Sequence, residues 1–169
     1  TVAAGQPPVI FIHGAFGSRL ADARRGHEIW PGGFFKLLFD RYAELAVDID
    51  PASLEPGPER LVVSGLFERT GARDYYRAIL RSLQRAGYRE GRPGIPVGDD
   101  VPRYYVLLYD WRYDNTRAVL ALDGLIAQIR RDHARVDLRV DLIGHSNGGL
   151  VARQYARFGT AGVDAGTAP

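Results

Sequence analysis

The chain has 169 residues, of which 46% are hydrophobic and 25% are charged, and its formal net charge is +2. This composition is typical of a globular chain with an apolar core, and we interpret residues 1–169 as the amino-terminal part of a single domain. The basic residues are scattered among acidic ones, which argues against a nucleic-acid-binding surface, and the absence of cysteine excludes disulfides and cysteine-ligated metal sites.

No run approaches the roughly 18 apolar residues that span a bilayer, and no leader of charged and then apolar residues opens the chain. Because the chain starts at Thr1 without a methionine, we expect a processed or trimmed product, with a secreted or extracytoplasmic location favoured. The slight positive charge is compatible with peripheral approach to an anionic membrane surface.

The first predicted element is a strand over Pro8–Ile12, an apolar run of the kind that is buried on both faces of a sheet. A glycine-containing loop over Gly14–Ser18 follows it. Helical spacing of apolar residues predicts a helix over 34–45, and the proline- and glycine-rich segment 51–58 is a connection. Residues 61–67 are expected to form a short hairpin or an irregular excursion.

A second helix is predicted over 72–86, where the apolar residues lie on one stripe and Gly87 is placed to end it. The segment 91–102 holds three prolines and three glycines and is expected to be a loop. The apolar run 104–109 then predicts the second buried strand.

A polar cluster at 114–116 can cap a helix that runs to about His133. A third strand is predicted over 136–143, followed by a helix that Gly159 ends. Strands that alternate with long helices imply parallel strands joined by right-handed crossovers. The expected fold is therefore α/β, a three-layer arrangement with a central parallel sheet between helices.

The pattern Gly144-x-Ser146-x-Gly148 falls between the third strand and the last helix, which is the context of a nucleophile elbow. The chain turns sharply there, which forces the serine into a strained conformation and leaves no room for side chains two residues away. The turn lifts the serine hydroxyl clear of the carboxyl edge of the sheet. Ser146 is therefore the candidate catalytic nucleophile, supported by Gly144 and Gly148.

An acyl-transfer nucleophile also needs hydrogen-bond donors for the oxyanion that forms on the substrate. These are normally the backbone N–H after the serine and one from the loop after an earlier strand. We expect the backbone N–H groups of Ala15 and Asn147 to form this oxyanion hole. Gly14 is expected to let the loop approach closely.

Other residues near the predicted site have scaffold interpretations beside functional ones. His145 and His13 are expected to be structural hydrogen-bonding residues, His145 pointing away from the serine into the packing around the elbow and His13 anchoring the oxyanion loop. Asp110 lies at the carboxyl end of the second strand, where a structural pair with a nearby arginine is the favoured interpretation. Phe16 and Trp30 are candidates for substrate binding in an acyl pocket, against the alternative that they belong to the core or its cover.

The residues that would activate the serine are missing. Where this elbow is catalytic, an acid and then a histidine follow the serine, but here only Asp164 and no histidine follow the last helix. His27 and His133 precede the serine, and His133 is expected at the far end of a crossover helix. The strand before the elbow would also form an exposed sheet edge. We therefore expect an amino-terminal fragment whose missing carboxyl-terminal strands carry the acid and the base.

Four segments together carry a family resemblance. They are Pro8–Gly14, the helix that ends at Gly87-Tyr88, the Tyr-Asp-Trp-Arg sequence at Tyr109–Arg112, and Gly144–Gly149. From about Pro8 to Tyr155 the chain resembles lecithin:cholesterol acyltransferase and its relatives, the lysosomal phospholipases and related bacterial lipases of the α/β-hydrolase superfamily. The resemblance implies a partial α/β-hydrolase fold, with ester hydrolysis or acyl transfer on lipids through an acyl-serine at Ser146. It also implies the oxyanion role of Ala15 and Asn147.

Two other functions stay open. One is a catalytically inactive relative used for binding, which the missing base favours, and the other is an amidase or thioesterase on the same elbow. The chain has His13-Gly14 where the family has Pro-Gly, and it lacks the cysteines of the family's lid disulfide, so a simple ester is an equal candidate for the substrate. No metal or organic cofactor is expected. The expected partners are the ester substrate and the rest of the polypeptide.

Overall fold

The computed structural model describes residues 5–33, 36, 39–70, 73–98, 101–161 and 163. In chain order the strands are β1 (Val9–Ile12), β2 (Ser18–Asp22), β3 (Glu28–Trp30), β4 (Leu61–Leu66), β5 (Arg69–Thr70), β6 (Arg73–Asp74), β7 (Arg89–Glu90), β8 (Arg103–Leu107) and β9 (Asp141–Gly144). The α-helices are α1 (Arg77–Ala86), α2 (Asn115–Asp132) and α3 (Asn147–Phe158), and a short 3-10 helix spans Ala43–Leu45. Four strands pair in parallel in the order β7-β8-β1-β9.

Strand β1 lies inside this parallel sheet, and its four residues are buried, as the apolar run predicts. Ile10 and Ile12 pack in one core with residues of α2 and α3, whereas Val9 and Phe11 pack in a second core with residues of α1. Because successive side chains of a strand point to opposite faces, α1 covers one face of the sheet, and α2 and α3 cover the other. The expected α/β fold with a parallel sheet between helices is confirmed.

Local signals place the ends of two helices correctly. The Asp114 side chain accepts a hydrogen bond from the Thr116 N–H (2.8 Å) and caps α2, which ends at Asp132, one residue before the predicted end. Helix α1 ends at Ala86 and is capped, as predicted, by Gly87, whose φ of 108° is in the left-handed region that glycine tolerates.

A second, antiparallel sheet in the order β3-β2-β4 has no counterpart in the sequence-based expectations. The hairpin or irregular excursion expected at 61–67 is wrong, because 61–66 form the single strand β4, which pairs with the distant β2. Leu20, Ile29 and Leu61, one from each strand, form the small core of this sheet. Strands β5 and β6, of two residues each, pair antiparallel in a separate small sheet.

The helix predicted over 34–45 is wrong in its second half. Residues 34, 35, 37 and 38 lie outside the described residues, but Lys36 and Phe39 are helical, and the Asp40 N–H donates to the Lys36 carbonyl (2.9 Å), in agreement with the predicted first half. The Asp40 side chain accepts a hydrogen bond from the Tyr42 N–H (2.9 Å), and Tyr42 itself has a left-handed backbone with φ 49°. This side-chain bond offers the backbone an alternative to the helix, and only the 3-10 turn Ala43–Leu45 follows.

Two predicted boundaries are also wrong. The helix expected over 72–86 begins at Arg77, because Arg73–Asp74 belong to the small β5–β6 sheet and residue 72 lies outside the described residues. The strand expected over 136–143 begins only at Asp141. Val136 is 89% exposed in a turn, and β9 pairs with the four residues of β1, which limit its length.

Strand β9, which leads to the serine, is an edge of the parallel sheet, as the sequence predicts. The N–H groups of Asp141 and His145 donate to Pro8 and Ile12 on the β1 side. Since backbone groups alternate in direction along a strand, those of the intervening Leu142 point away from β1, toward the open edge. Within the described part of the chain, no helix has both the length and the apolar character that crossing a membrane requires.

Candidate active site

Ser146 occupies the turn between β9 and α3. The strand ends at Gly144 and the helix begins at Asn147, so the predicted order of strand, serine and helix is confirmed. Ser146 is exposed and has φ 52° and ψ −122°, a conformation that residues with side chains rarely adopt. An exposed serine held in a strained strand-to-helix turn has the geometry of a nucleophile elbow.

The backbone around the elbow leaves no room for side chains at two glycines. A Cβ on Gly144 would lie 2.6 Å from the carbonyl oxygen of Gly148, and a Cβ on Gly148 would overlap the carbonyl oxygen of Ile12. Helix α3 therefore starts directly against the end of β1. This close approach is the physical reason for glycine at both positions.

The loop after β1 lies against the elbow. A Cβ on Gly14 would lie 2.9 Å from the Cβ of Ser146 and 3.1 Å from Nδ1 of His145. Gly14 is buried, whereas Ala15, the next residue, is exposed beside the serine turn. The sequence-based expectation that Gly14 allows a close approach of the two segments agrees with this packing.

The backbone N–H of Ala15 has no protein acceptor among the described residues. The carbonyl oxygen of the preceding Gly14 accepts hydrogen bonds from the Gly17 N–H (3.0 Å) and from Nδ1 of His13 (2.8 Å). In a trans peptide the C=O and the N–H point in opposite directions. The two bonds to Gly14 therefore fix the direction of the Ala15 N–H.

The backbone N–H of Asn147, at the start of α3, is oriented in the same way as that of Ala15. The carbonyl oxygen of Ser146 accepts a hydrogen bond from the Gly149 N–H (2.9 Å), which fixes the direction of the Asn147 N–H at the start of α3. That N–H also has no protein acceptor in the described part of the chain. Both N–H groups named from the sequence thus have a fixed direction and, among the described residues, no protein acceptor.

His13 is buried and holds the loop in place. Its Nδ1 donates to the carbonyl of Gly14, its Nε2 lies 3.4 Å from the N–H of Tyr109, and its ring stacks on the Tyr109 ring at 4.3 Å. Burial lowers the pKa of His13 from 6.5 to about 4, outweighing the opposing bond to Gly14. The imidazole is therefore neutral near pH 7 and anchors the loop.

His145 differs in part from its expected place. It makes a hydrogen bond, with Nδ1 3.0 Å from the hydroxyl of Tyr76, but its side chain lies at an exposed position rather than inside the packing. Tyr76 is a residue that sequence reasoning missed at the site, and so are Tyr109 and Asn115. These residues had other interpretations in the sequence: Tyr76 lay on the apolar stripe of a predicted helix, Tyr109 opened the Tyr-Asp-Trp-Arg segment, and Asn115 belonged to the predicted capping cluster.

Phe16 and Trp30, the candidate pocket residues, lie together at the loop that follows β1. Phe16 is 52% exposed, and its ring lies 5.3 Å from Trp30 and 4.3 Å from Trp111. Nε1 of Trp30 donates to the carbonyl of Phe16 (3.1 Å). The antiparallel sheet, through Trp30 of β3, thereby provides an apolar surface next to Ala15.

The Asp110 carboxylate bonds to Arg112, and among the described residues no hydrogen bond joins it to the elbow. Both its carboxylate oxygens accept hydrogen bonds from Arg112, the shortest at 2.6 Å, and the Arg112 side chain is only 6% exposed. A further Arg112 nitrogen lies 3.4 Å from the carbonyl of Leu45. The pair joins the segment after β8 to the 3-10 turn, in keeping with the scaffold interpretation.

The remaining acid and histidines lie elsewhere. His133 has Nε2 3.3 Å from the hydroxyl of Tyr105 and lines a cavity with Pro8, at the amino end of β1 and away from the elbow. His27 immediately precedes β3 in the antiparallel sheet, and Asp164 lies outside the described residues. Within the described ranges, no group of three or more histidine or carboxylate side chains is placed to hold a metal ion.

Comparison of the chain with models of known protein families, with curated proteins and with solved structures found no match. The α/β fold therefore rests on the observed sheet and helices. The family resemblance stays a prediction, carried by the motifs from which it was drawn.

Proposed function

We propose that this chain carries the nucleophile and the oxyanion hole of a serine esterase or lipase that acts on carboxylic esters, with lipid esters as the substrate class. The observation that carries the proposal is the exposed Ser146 with φ 52°, flanked by the oriented N–H groups of Ala15 and Asn147, which have no protein acceptor among the described residues. The exposed ring of Phe16 beside Ala15 favours an apolar acyl group.

In this reaction the Oγ of Ser146 attacks the ester carbonyl carbon, and its proton passes to a general base. The carbonyl oxygen becomes an oxyanion that accepts hydrogen bonds from Ala15 and Asn147. The bond to the alcohol oxygen then breaks, the alcohol leaves with the proton, and an acyl-serine remains for water or a second alcohol to release. Each such preoriented donor contributes about 10²–10³-fold in rate.

The general base and the acid that orients it are proposed to lie outside the described residues, in a further part of the same polypeptide. His13 is turned toward Gly14 and Tyr109, and Nδ1 of His145 is turned toward Tyr76. The open edge of β9 is where additional parallel strands would pair. Without a base, a serine hydroxyl is a weak nucleophile, so we expect the chain alone to be nearly inactive.

A non-catalytic binding protein is the second candidate. It is favoured by one observation, namely that no histidine among the described residues hydrogen-bonds to the Ser146 hydroxyl. An amidase or thioesterase would use the same elbow, and the comparison of p-nitrophenyl butyrate with the matching anilide and thioester separates these activities.

The test is covalent labelling by a fluorophosphonate, followed by intact mass and peptide mapping of this chain and of the full-length gene product. Ser146→Ala removes the proposed nucleophile. Ser82→Ala is the matched control, because Ser82 lies on the surface of α1 and, among the described residues, its hydroxyl bonds only to the carbonyl of Ala78.

We expect the full-length gene product to gain one phosphonyl group at Ser146. The Ser82→Ala variant should label at the same rate, and the Ser146→Ala variant should not label. The chain alone should label at least about 100-fold more slowly, because a general base contributes about 10²–10⁴-fold. A folded full-length gene product that does not label at Ser146 would replace the esterase proposal with the binding-protein one.

A further inference from the structure

The oxyanion loop and the nucleophile elbow are joined by two tyrosine hydroxyls. We propose that Tyr76 and Tyr109 are positioning residues that set the spacing between the Ala15 and Asn147 N–H donors. This inference rests on the proposed function, because it concerns the same oxyanion hole. Each hydroxyl bridges one residue of the loop and one residue of the elbow.

Tyr76 makes the first bridge from the start of α1. Its hydroxyl oxygen accepts a hydrogen bond from the Gly14 N–H (3.0 Å) and lies 3.0 Å from Nδ1 of His145. Since the N–H can only donate, the hydroxyl oxygen accepts from Gly14, and a hydroxyl still has a donor and a second acceptor site with which to bind Nδ1 of His145. The Tyr76 ring is held by Phe11 of β1 at 5.2 Å, so the bridge is built on the buried face of the sheet.

Tyr109 makes the second bridge, from the end of β8. Its hydroxyl donates to the carbonyl of His13 (2.8 Å) and accepts from the side-chain amide of Asn147 (3.2 Å). The Asn147 amide also exchanges two hydrogen bonds with the side chain of Asn115, at 2.8 and 3.0 Å. Burial raises the pKa of Tyr109 above its usual 10, so its hydroxyl keeps the proton that it donates.

Each tyrosine hydroxyl bonds to a residue at or next to one of the two proposed donors. Tyr76 binds Gly14, one residue before Ala15, and Tyr109 binds Asn147 itself through its side chain. An oxyanion hole works only when both donors reach one oxygen, and a displacement of about 1 Å costs about 10²-fold in rate. Loss of either hydroxyl should therefore loosen one donor relative to the other while leaving Ser146 and the substrate surface intact.

The experiment compares Tyr76→Phe, Tyr109→Phe and the double variant in the full-length gene product. Tyr88→Phe is the matched control, because Tyr88 is similarly buried but, within the described part of the chain, its hydroxyl bonds only to the Pro7 carbonyl at 3.5 Å, before β1. Two substrates are used, p-nitrophenyl butyrate and its thionoester, in which sulfur replaces the carbonyl oxygen. Sulfur accepts weaker hydrogen bonds than oxygen, so the ratio of ester to thionoester turnover reports on the oxyanion donors.

We expect kcat for the butyrate to fall about 10-fold in each single variant and about 100-fold in the double variant, with KM unchanged. The ratio of ester to thionoester turnover should fall in the same variants. Tyr88→Phe should leave both kcat and this ratio unchanged. Equal ratios in wild type and in both tyrosine variants would overturn the positioning role. Loss of turnover with the ratio retained would also overturn it, since a purely structural defect acts on both substrates alike.

A measurement of chemical shifts complements the kinetic comparison. In the wild type, the ¹⁵N chemical shift of His145 Nδ1 should differ from that in Tyr76→Phe, because the Tyr76 hydroxyl is the hydrogen-bond partner of this nitrogen, and equal shifts would overturn the Tyr76 bridge. If the wild-type gene product neither labels at Ser146 nor turns over the butyrate, the proposed function and the positioning role fall together. If it does both and the variants match it, only the positioning role falls.

Discussion

The glycine at position 148 has no space for a side chain, because a Cβ there would overlap the carbonyl oxygen of Ile12. The next residue, Gly149, is a matched control on the same turn of α3, since its Cβ would lie 3.7 Å from the carbonyl oxygen of Gly144. These adjacent glycines therefore differ in their physical role. The first allows the elbow to pack on β1, and the second has room for a methyl group.

We expect Gly148→Ala to lower the free energy of unfolding by about 1–3 kcal/mol or more, because the helix must move away from β1. Gly149→Ala should raise it by about 0.5–1 kcal/mol, because alanine favours the helix. Urea unfolding of the two variants measures both effects. The same sign of change in both variants would contradict the steric explanation.

His13 makes stability depend on pH. Its pKa is about 4 when folded and 6.5 as its ordinary value, so between these values the unfolded chain binds more protons. The free energy of unfolding should therefore fall as the pH is lowered from 6.5 to 4, by up to about 3 kcal/mol. Asp22 and Asp50 have pKa values lowered below 3.8 by backbone hydrogen bonds, so their contribution is lost mainly below this window.

Urea titrations at several pH values give this dependence directly. The comparison is between the wild type and His13→Asn, which removes the titrating group, and the quantity compared is the slope with pH rather than the absolute stability. A variant slope equal to that of the wild type between pH 4 and 6.5 would show that His13 is not the group responsible.

Helix α2 was the best predicted element because its signals are local. Asp114 lies directly before the first helical residue and accepts from the Thr116 N–H, and the apolar stripe behind it is buried against the sheet. In contrast, β2 and β4 carry little signal of their own. They form because they pair with each other, although a long stretch of sequence separates them.

We expect Asp114→Ala to destabilise the protein by about 1 kcal/mol, because it leaves the Thr116 N–H without its capping acceptor. Asp137→Ala is the control, since Asp137 is exposed in the turn before β9. Thermal unfolding followed by circular dichroism measures both variants. An equal shift of Tm in the two variants would mean that the loss of one negative charge, rather than the loss of the helix cap, accounts for the change.

The two sheets are joined into one unit at the loop that follows β8. The buried Ser18 of β2 donates to the carbonyl of Tyr109 (2.8 Å), and Nε1 of Trp111 donates to the carbonyl of Ser18 (3.2 Å). The ring of Trp111 lies 5.8 Å from that of Trp30 in β3. These are the two tryptophans of the chain, and both lie at the junction.

Tryptophan fluorescence therefore reports on the junction of the sheets, while far-ultraviolet circular dichroism reports mainly on the helices around the parallel sheet. We expect the two signals to give the same midpoint in a urea titration, as for a single cooperative unit. An earlier fluorescence midpoint would show instead that the antiparallel sheet separates before the parallel sheet unfolds.

The sequence by itself determined the parallel α/β core, the turn at Ser146 and the need for Gly144 and Gly148. These features follow from apolar periodicity, glycine and helix capping within short segments, where neighbouring residues set the local conformation. They therefore allowed the candidate nucleophile and both candidate donors to be named.

Only the tertiary structure decided how the elbow is held. It brought Tyr76 and Tyr109 onto the loop and the serine turn, placed Trp30 beside Phe16, and built the antiparallel sheet. Each of these contacts joins residues far apart in the chain. The partners of a buried hydroxyl or ring depend on how whole elements pack, and no local pattern in the sequence records that packing.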